Sequence, residues 1–169
     1  MLAALFYPST DGLGEFAEVS ADALPPVYRS LLAHNNHMTV TVEQHHRSPV
    51  DVRVLDKRRV GSHYARKILL ARQSDGAVVQ FGLMRIDFRY LDETVQREIE
   101  SEAIPLGRVL ITHNVLREVE LVSLWEITPG DELAALLRAP AGARVYGRTA
   151  LIHVNGEPAV ELLEIVSPE

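Results

Sequence analysis

Apolar positions along the chain alternate between helical and strand spacing, and each change of period marks a new element. Val27, Leu31 and Leu32 recur at helical spacing after Asp22, which suits an N-cap, and after Pro25 and Pro26, which suit a first turn. This predicts a helix ending near His34 to Asn36. From Met38 the period drops to two: Met38, Val40 and Val42 alternate with Thr39, Thr41 and Glu43, then Val50, Val52 and Val54 alternate with Asp51 and Arg53. Two strands joined by His46-Arg47-Ser48-Pro49 are expected there. Tyr64 to Ala71 and Val78 to Phe88 form the next pair, with Asp75-Gly76 as the hairpin turn. Leu91 to Glu102 has the pattern of an amphipathic helix, and Pro105 opens a second short helical segment. Val115 to Ile127 reads as a strand, Gly130 to Arg138 as a short helix, and Arg144 to His153 with Glu157 to Val166 as a closing hairpin across Asn155-Gly156. About six strands joined mainly by short turns predict an α+β fold: an antiparallel sheet with helical insertions, not a doubly wound one. Residues 1–20 are rich in Gly, Ser, Pro and acidic groups without a period and read as a loosely held lead-in to a single domain over 21–169.

Composition narrows the function classes. The formal net charge of -6 argues against a nucleic-acid partner, because phosphate binding needs a basic stripe and no Arg pair here is long enough to form one. With no cysteine, disulfides, thiol nucleophiles and cysteine metal sites are excluded. The apolar opening 1–7 has no basic flank and is cut short by Pro8 and Asp11, so neither a signal peptide nor a membrane span is read there, and a cytoplasmic protein is expected by default.

Three places could carry chemistry. Arg66 shares a strand face with Ile68 and Leu70, where a guanidinium is costly unless an anion satisfies it; that anion is either an internal carboxylate or a ligand. Glu161 and Glu164 lie an odd number of residues apart on one strand, so only one faces the core. The inward one could accept a hydrogen bond from a hydroxyl, act as a base, or pair with a buried arginine. Leu106 and Gly107, after Pro105, could offer backbone donors at a helix start, although the same residues make an ordinary turn. Paired histidines (His34 with His37, His45 with His46) suggest a metal, but neighbours on a strand face opposite ways and His34 and His37 flank a helix end, so no metal site is expected.

Taken in order, several motifs resemble those of the chorismate pyruvate-lyases, which make 4-hydroxybenzoate from chorismate. These are Met38-Thr39 with Glu43-Gln44, 64–70 before a Gly-bearing hairpin, Pro105-Leu106-Gly107-Arg108 with Leu110, and Gly156-Glu157-Pro158 before Glu164. The resemblance implies an antiparallel sheet with helical flaps over an internal pocket, a lyase needing no cofactor, and a small-molecule substrate. It also implies that Arg66 binds the ring carboxylate with backbone N–H groups at Met38 and Leu106, and that Glu164 holds the ring hydroxyl. Glu164 lies one residue further past the hairpin proline than in one branch of that family, which keeps Glu161 a competitor, and Arg85 is the candidate for the family's second arginine. Regulator effector-sensing domains share the fold, so a non-catalytic domain binding an aromatic carboxylate is the alternative, with a lyase acting on a related substrate as a third reading. Residues 1–37 are too few and too poorly patterned for a helix-turn-helix.

Overall fold

The computed structural model describes residues 2–115 and 117–169. Seven strands form one wholly antiparallel sheet: β1 (Gly14–Val19), β2 (Val50–Val60), β3 (His63–Arg72), β4 (Val78–Asp87), β5 (Arg117–Pro129), β6 (Val145–Val154) and β7 (Glu157–Val166). Their order is β1-β5-β6-β7-β4-β3-β2. Among the described residues five α-helices complete it: α1 (Pro26–Leu32), α2 (Met38–His46), α3 (Glu93–Glu100), α4 (Leu106–Thr112) and α5 (Asp131–Leu137). The α+β antiparallel architecture is thus as expected, with one strand more. Of the strand expected from Val115, Leu116 lies outside the described residues. The hairpin β6–β7 turns at Asn155 and Gly156, both at positive φ (51° and 82°), as a two-residue turn matched to strand twist requires.

Residues 14–19 are not a loose lead-in. They pair with β5 as an edge strand, and Ala3, Tyr7 and Leu13 are buried in a core with Leu69, Phe81, Leu83, Leu133 and Leu137 on one face of the sheet. The apolar run 1–7 carries no clear helical or strand period, yet Ala3 and Tyr7, with Leu13, are covered by the sheet face they cap.

The expected strand at Met38 is a helix. Alternating Thr and Val favour strand locally, but Met38, Thr39 and Val42 are the residues buried against the rest of the protein, a helical spacing. The burial of Met38 and Val42 in a cluster with Ile68, Leu70 and Val50 decides the conformation. α2 therefore lies over the sheet face opposite to α5. α4 joins it there: a Cβ on Gly107 would stand 3.0 Å from Thr39 Oγ1, so the missing side chain sets how closely the two helices approach. Arg108 on α4 donates to Glu43 on α2, whose other carboxylate oxygen accepts from the Val50 N–H at 3.0 Å. The residues Met38-Thr39, Glu43 and Gly107-Arg108 thus clamp the two helices together.

Candidate ligand-binding site

Under this clamp the inner sheet face runs in cross-strand rows. Arg148, Glu164, Gly82 and Ile68 form one row, and Ala150, Leu162, Met84 and Arg66 the next. A small cavity of about 50 Å³ separates them from the helices, lined by Met38, Arg66, Gln80, Leu106, Gly107 and Glu164 among others. Gly82 leaves this floor open, because any Cβ there would press on the Ile68 side chain at 3.2 Å. Five of the six residues singled out from the sequence therefore meet in one place. The exception is Arg85, which lies on the opposite sheet face, where it donates to Glu161. This corrects its assignment as a substrate-binding arginine and removes Glu161 from the site: the odd spacing sends Glu164, 8% exposed, inward.

Arg66 is 1% exposed. Its Nη1 donates to the Ile99 carbonyl on α3 at 3.2 Å, and its Nε has no hydrogen-bond partner. Among the described residues it makes no ion pair; the acid whose charge reaches it, Glu102, is held by Lys57 Nζ at 2.5 Å. Burial lowers the guanidinium's pKa and raises that of the neighbouring Tyr64 phenol; the two groups lie close enough to offset part of each shift, but neither the Tyr64 hydroxyl nor Arg66 Nε reaches a partner in good hydrogen-bond geometry. Met38 and Leu106 are the first residues of α2 and α4, and both line the same cavity. The first N–H groups of a helix have no intrahelical acceptor and carry partial positive charge. This end of the cavity thus gathers donors and positive charge, and among the described residues Arg66 has no ion-pair partner, since the cavity's carboxylate, Glu164, is taken by Arg148.

At the other side Glu164 Oε2 accepts from Arg148 Nε at 2.8 Å. Arg148, 0% exposed, escaped notice in the sequence, although Tyr146, Ala150 and Ile152 share its face and place a charge in an apolar run. Its other nitrogens donate to the carbonyls of His34 (2.8 Å) and Asn36 (2.9 Å). One guanidinium thereby ties the pocket floor to the segment that leads into α2. The pairing of Glu164 with a buried arginine was the simpler of the readings open to it, and the structure adopts it.

His34 belongs to the same network. Its Nδ1 accepts from the Asn36 N–H at 3.1 Å and its Nε2 lies 2.7 Å from the Leu31 carbonyl, so the neutral Nε2–H form satisfies both. Protonating Nδ1 would break the first bond and place a second cation 3.4 Å from Arg148 Nη1. Desolvation first, then Arg148, lower its pKa; burial lowers that of His46 as well. A histidine with a depressed folded-state pKa stabilises the fold above its unfolded value of about 6.5 and loses that contribution as pH falls toward the folded value. Unfolding free energy is therefore expected to drop on acidification below about pH 6.5, and to drop less in His34→Gln; equal slopes for the two proteins in denaturant titrations at stepped pH would refute the assignment.

His45 and His46 close the last turn of α2, not a strand, and with Glu169 bring one ligand atom each within 4.8 Å of one another. The reason given for setting this pair aside fails, although Arg72 Nη1 stands 3.2 Å from His46 Nδ1 and opposes a second cation there. Among the described residues no helix is long and apolar enough to cross a membrane.

No protein-family description and no curated protein sequence matches the chain. Solved structures do. The effector domain of PhnF from Mycobacterium smegmatis superposes with a TM-score of 0.55 at 12% identity, over 78% of this chain and 88% of that domain. Against the longer PhnF structure the score is 0.54, again at 12% identity and over 78% of this chain, which spans 64% of that one. The ligand-binding domain of a protein assigned to the GntR family of transcriptional regulators, from Bordetella bronchiseptica, matches at 0.50 and 12% identity, over 69% of this chain and 85% of that one. These neighbours stand against the expectation of a lyase: among them are an effector domain and the ligand-binding domain of a transcriptional regulator, and the glutamate expected to be catalytic is engaged by Arg148. The chain has the chorismate lyase-like fold in the form that such effector domains share.

Proposed function

We propose that this chain is a small-molecule sensor domain whose cavity captures an anion at Arg66, between the starts of α2 and α4, without transforming it. One observation carries this reading: a fully buried guanidinium whose Nε lacks an acceptor and which has no acidic partner among the described residues. A protein interior tolerates such a charge poorly, and an incoming carboxylate or phosphate would supply both the counter-charge and the missing acceptor. The planar, positively charged fork of Arg66 suits either anion, and the helix starts add backbone donors of the same polarity.

As enclosed, the space of about 50 Å³ holds a few waters or a compact oxyanion, whereas pockets for larger ligands run to about 300 Å³ and more. The clamp between α2 and α4 is the cover that a larger ligand displaces. Its ion pair is half-exposed on the Arg108 side, where such pairs contribute about 1 kcal/mol or less, so opening is cheap.

The test is calorimetric titration with inorganic phosphate and with 4-hydroxybenzoate, alongside thermal melts. We expect one saturable site for at least one of the two anions. A ligand at one hundred times its Kd should add about 2.7 kcal/mol of stability. Silence from both anions in both measurements would remove the proposal.

A further inference from the structure

Gln80 gives the same cavity a second polar end. It lies on β4 in the row after Gly82, opposite Leu70 on β3 and Val166 on β7, and is 3% exposed. Its Oε1 is buried without a hydrogen-bond partner. Turning the amide over would put its NH2 edge in that position, so the group is short of a partner in either orientation.

Two unsatisfied buried groups thus line one cavity, separated along the strand. Met84 pairs with Arg66 and lies four residues from Gln80, a strand distance of about 13 Å between Cα atoms, which the inward-reaching side chains shorten. Gly82 sits between them and leaves the floor open, with Glu164 beside it and the apolar surfaces of Ile68, Met84 and Leu162 around it. A bare anion would satisfy Arg66 and leave Gln80 as it is.

We infer that the ligand is an organic anion with an apolar middle and a hydroxyl, or another group that both donates and accepts, at its far end, and that Gln80 determines this specificity. A hydroxyl there can accept from the Gln80 amide and donate to its carbonyl oxygen or to Glu164. A ligand of this length displaces Met38 and Leu106 as it seats. The inference rests on the anion site at Arg66 proposed above and adds the demand for a second polar group.

The experiment compares hexanoate with 6-hydroxyhexanoate by calorimetry, with inorganic phosphate as the bare anion, on the wild-type protein and on Gln80→Leu and Gln80→Met, each first shown to melt cooperatively. The terminal hydroxyl should tighten wild-type binding about tenfold, the scale of one well-made hydrogen bond. Both variants should bind the two carboxylates equally while keeping the wild-type affinity for hexanoate. If the wild-type protein does not distinguish the pair, or a variant keeps the tenfold preference, the role of Gln80 is overturned; phosphate or hexanoate binding would then leave the anion site standing. Failure of all three anions to bind the wild-type protein would overturn both.

Discussion

Arg66→Met is expected to leave the fold as stable as the wild-type protein or stabilise it by about 1–4 kcal/mol, while weakening anion binding at least a hundredfold. The two effects come from one cause. The guanidinium is 1% exposed and gains a single hydrogen bond, to the Ile99 carbonyl, in return for its lost hydration, with one N–H wholly unpaired. Methionine fills a similar volume, is flexible enough to pack against Met84 and Leu162, and carries no charge to desolvate. Its cost is the Ile99 carbonyl, which loses one donor. Binding moves the other way, because a bidentate pair of charge-assisted hydrogen bonds is removed, at about 1.5–3 kcal/mol each. Denaturant unfolding and calorimetry on one preparation read both. Strong destabilisation would mean that Arg66 is a structural element whose partner the cavity already supplies; unchanged affinity would place the anion elsewhere.

Strand parity makes the inward placement of Arg66 legible in the sequence. Alternation fixes which residues of a strand share a face, so Arg66 falls with Ile68 and Leu70, and Glu161 and Glu164 fall on opposite faces, although counting does not say which of the two points inward. The same counting would have put Arg148 on the inner face of β6 and Gln80 on that of β4, and both signals were passed over because each sits in an otherwise ordinary apolar strand. What sequence could not supply was the partner of each charge. Arg85 and Arg148 look alike in the chain, and one salt-bridges Glu161 on the outer face while the other takes Glu164 on the inner. α2 departs from the expected strand for a related reason: its Thr-Val alternation satisfies a strand, and only the packing of Met38 and Val42 against Val50, Ile68 and Leu70 selects the helix. The lyase expectation fails because short motifs that place Arg66, Leu106 and Glu164 around one cavity do not fix what the cavity does, and solved structures of this fold include an effector domain.

Arg148→Met should do the opposite of Arg66→Met and destabilise the protein by about 3–5 kcal/mol, the cost of breaking a buried ion pair from one side. Three acceptors lose their donor together: the Glu164 carboxylate and the His34 and Asn36 carbonyls. Replacing Glu164 as well, in Arg148→Met/Glu164→Leu, removes the stranded carboxylate and should recover part of the loss, but not the share belonging to the two carbonyls. The recovered fraction, measured by denaturant unfolding of the two single variants and the double, separates the ion pair from the loop tether. A full recovery would show that the tether contributes nothing. If it does contribute, anion affinity should fall in Arg148→Met even though Arg148 lies on the Glu164 side of the pocket: residues 34–36 run directly into the start of α2, and a loosened start no longer holds its N–H groups toward Arg66. The inner face of the sheet would then hold one arginine that binds and one that positions, distinguished by whether the carboxylate it needs comes from solution or from the chain.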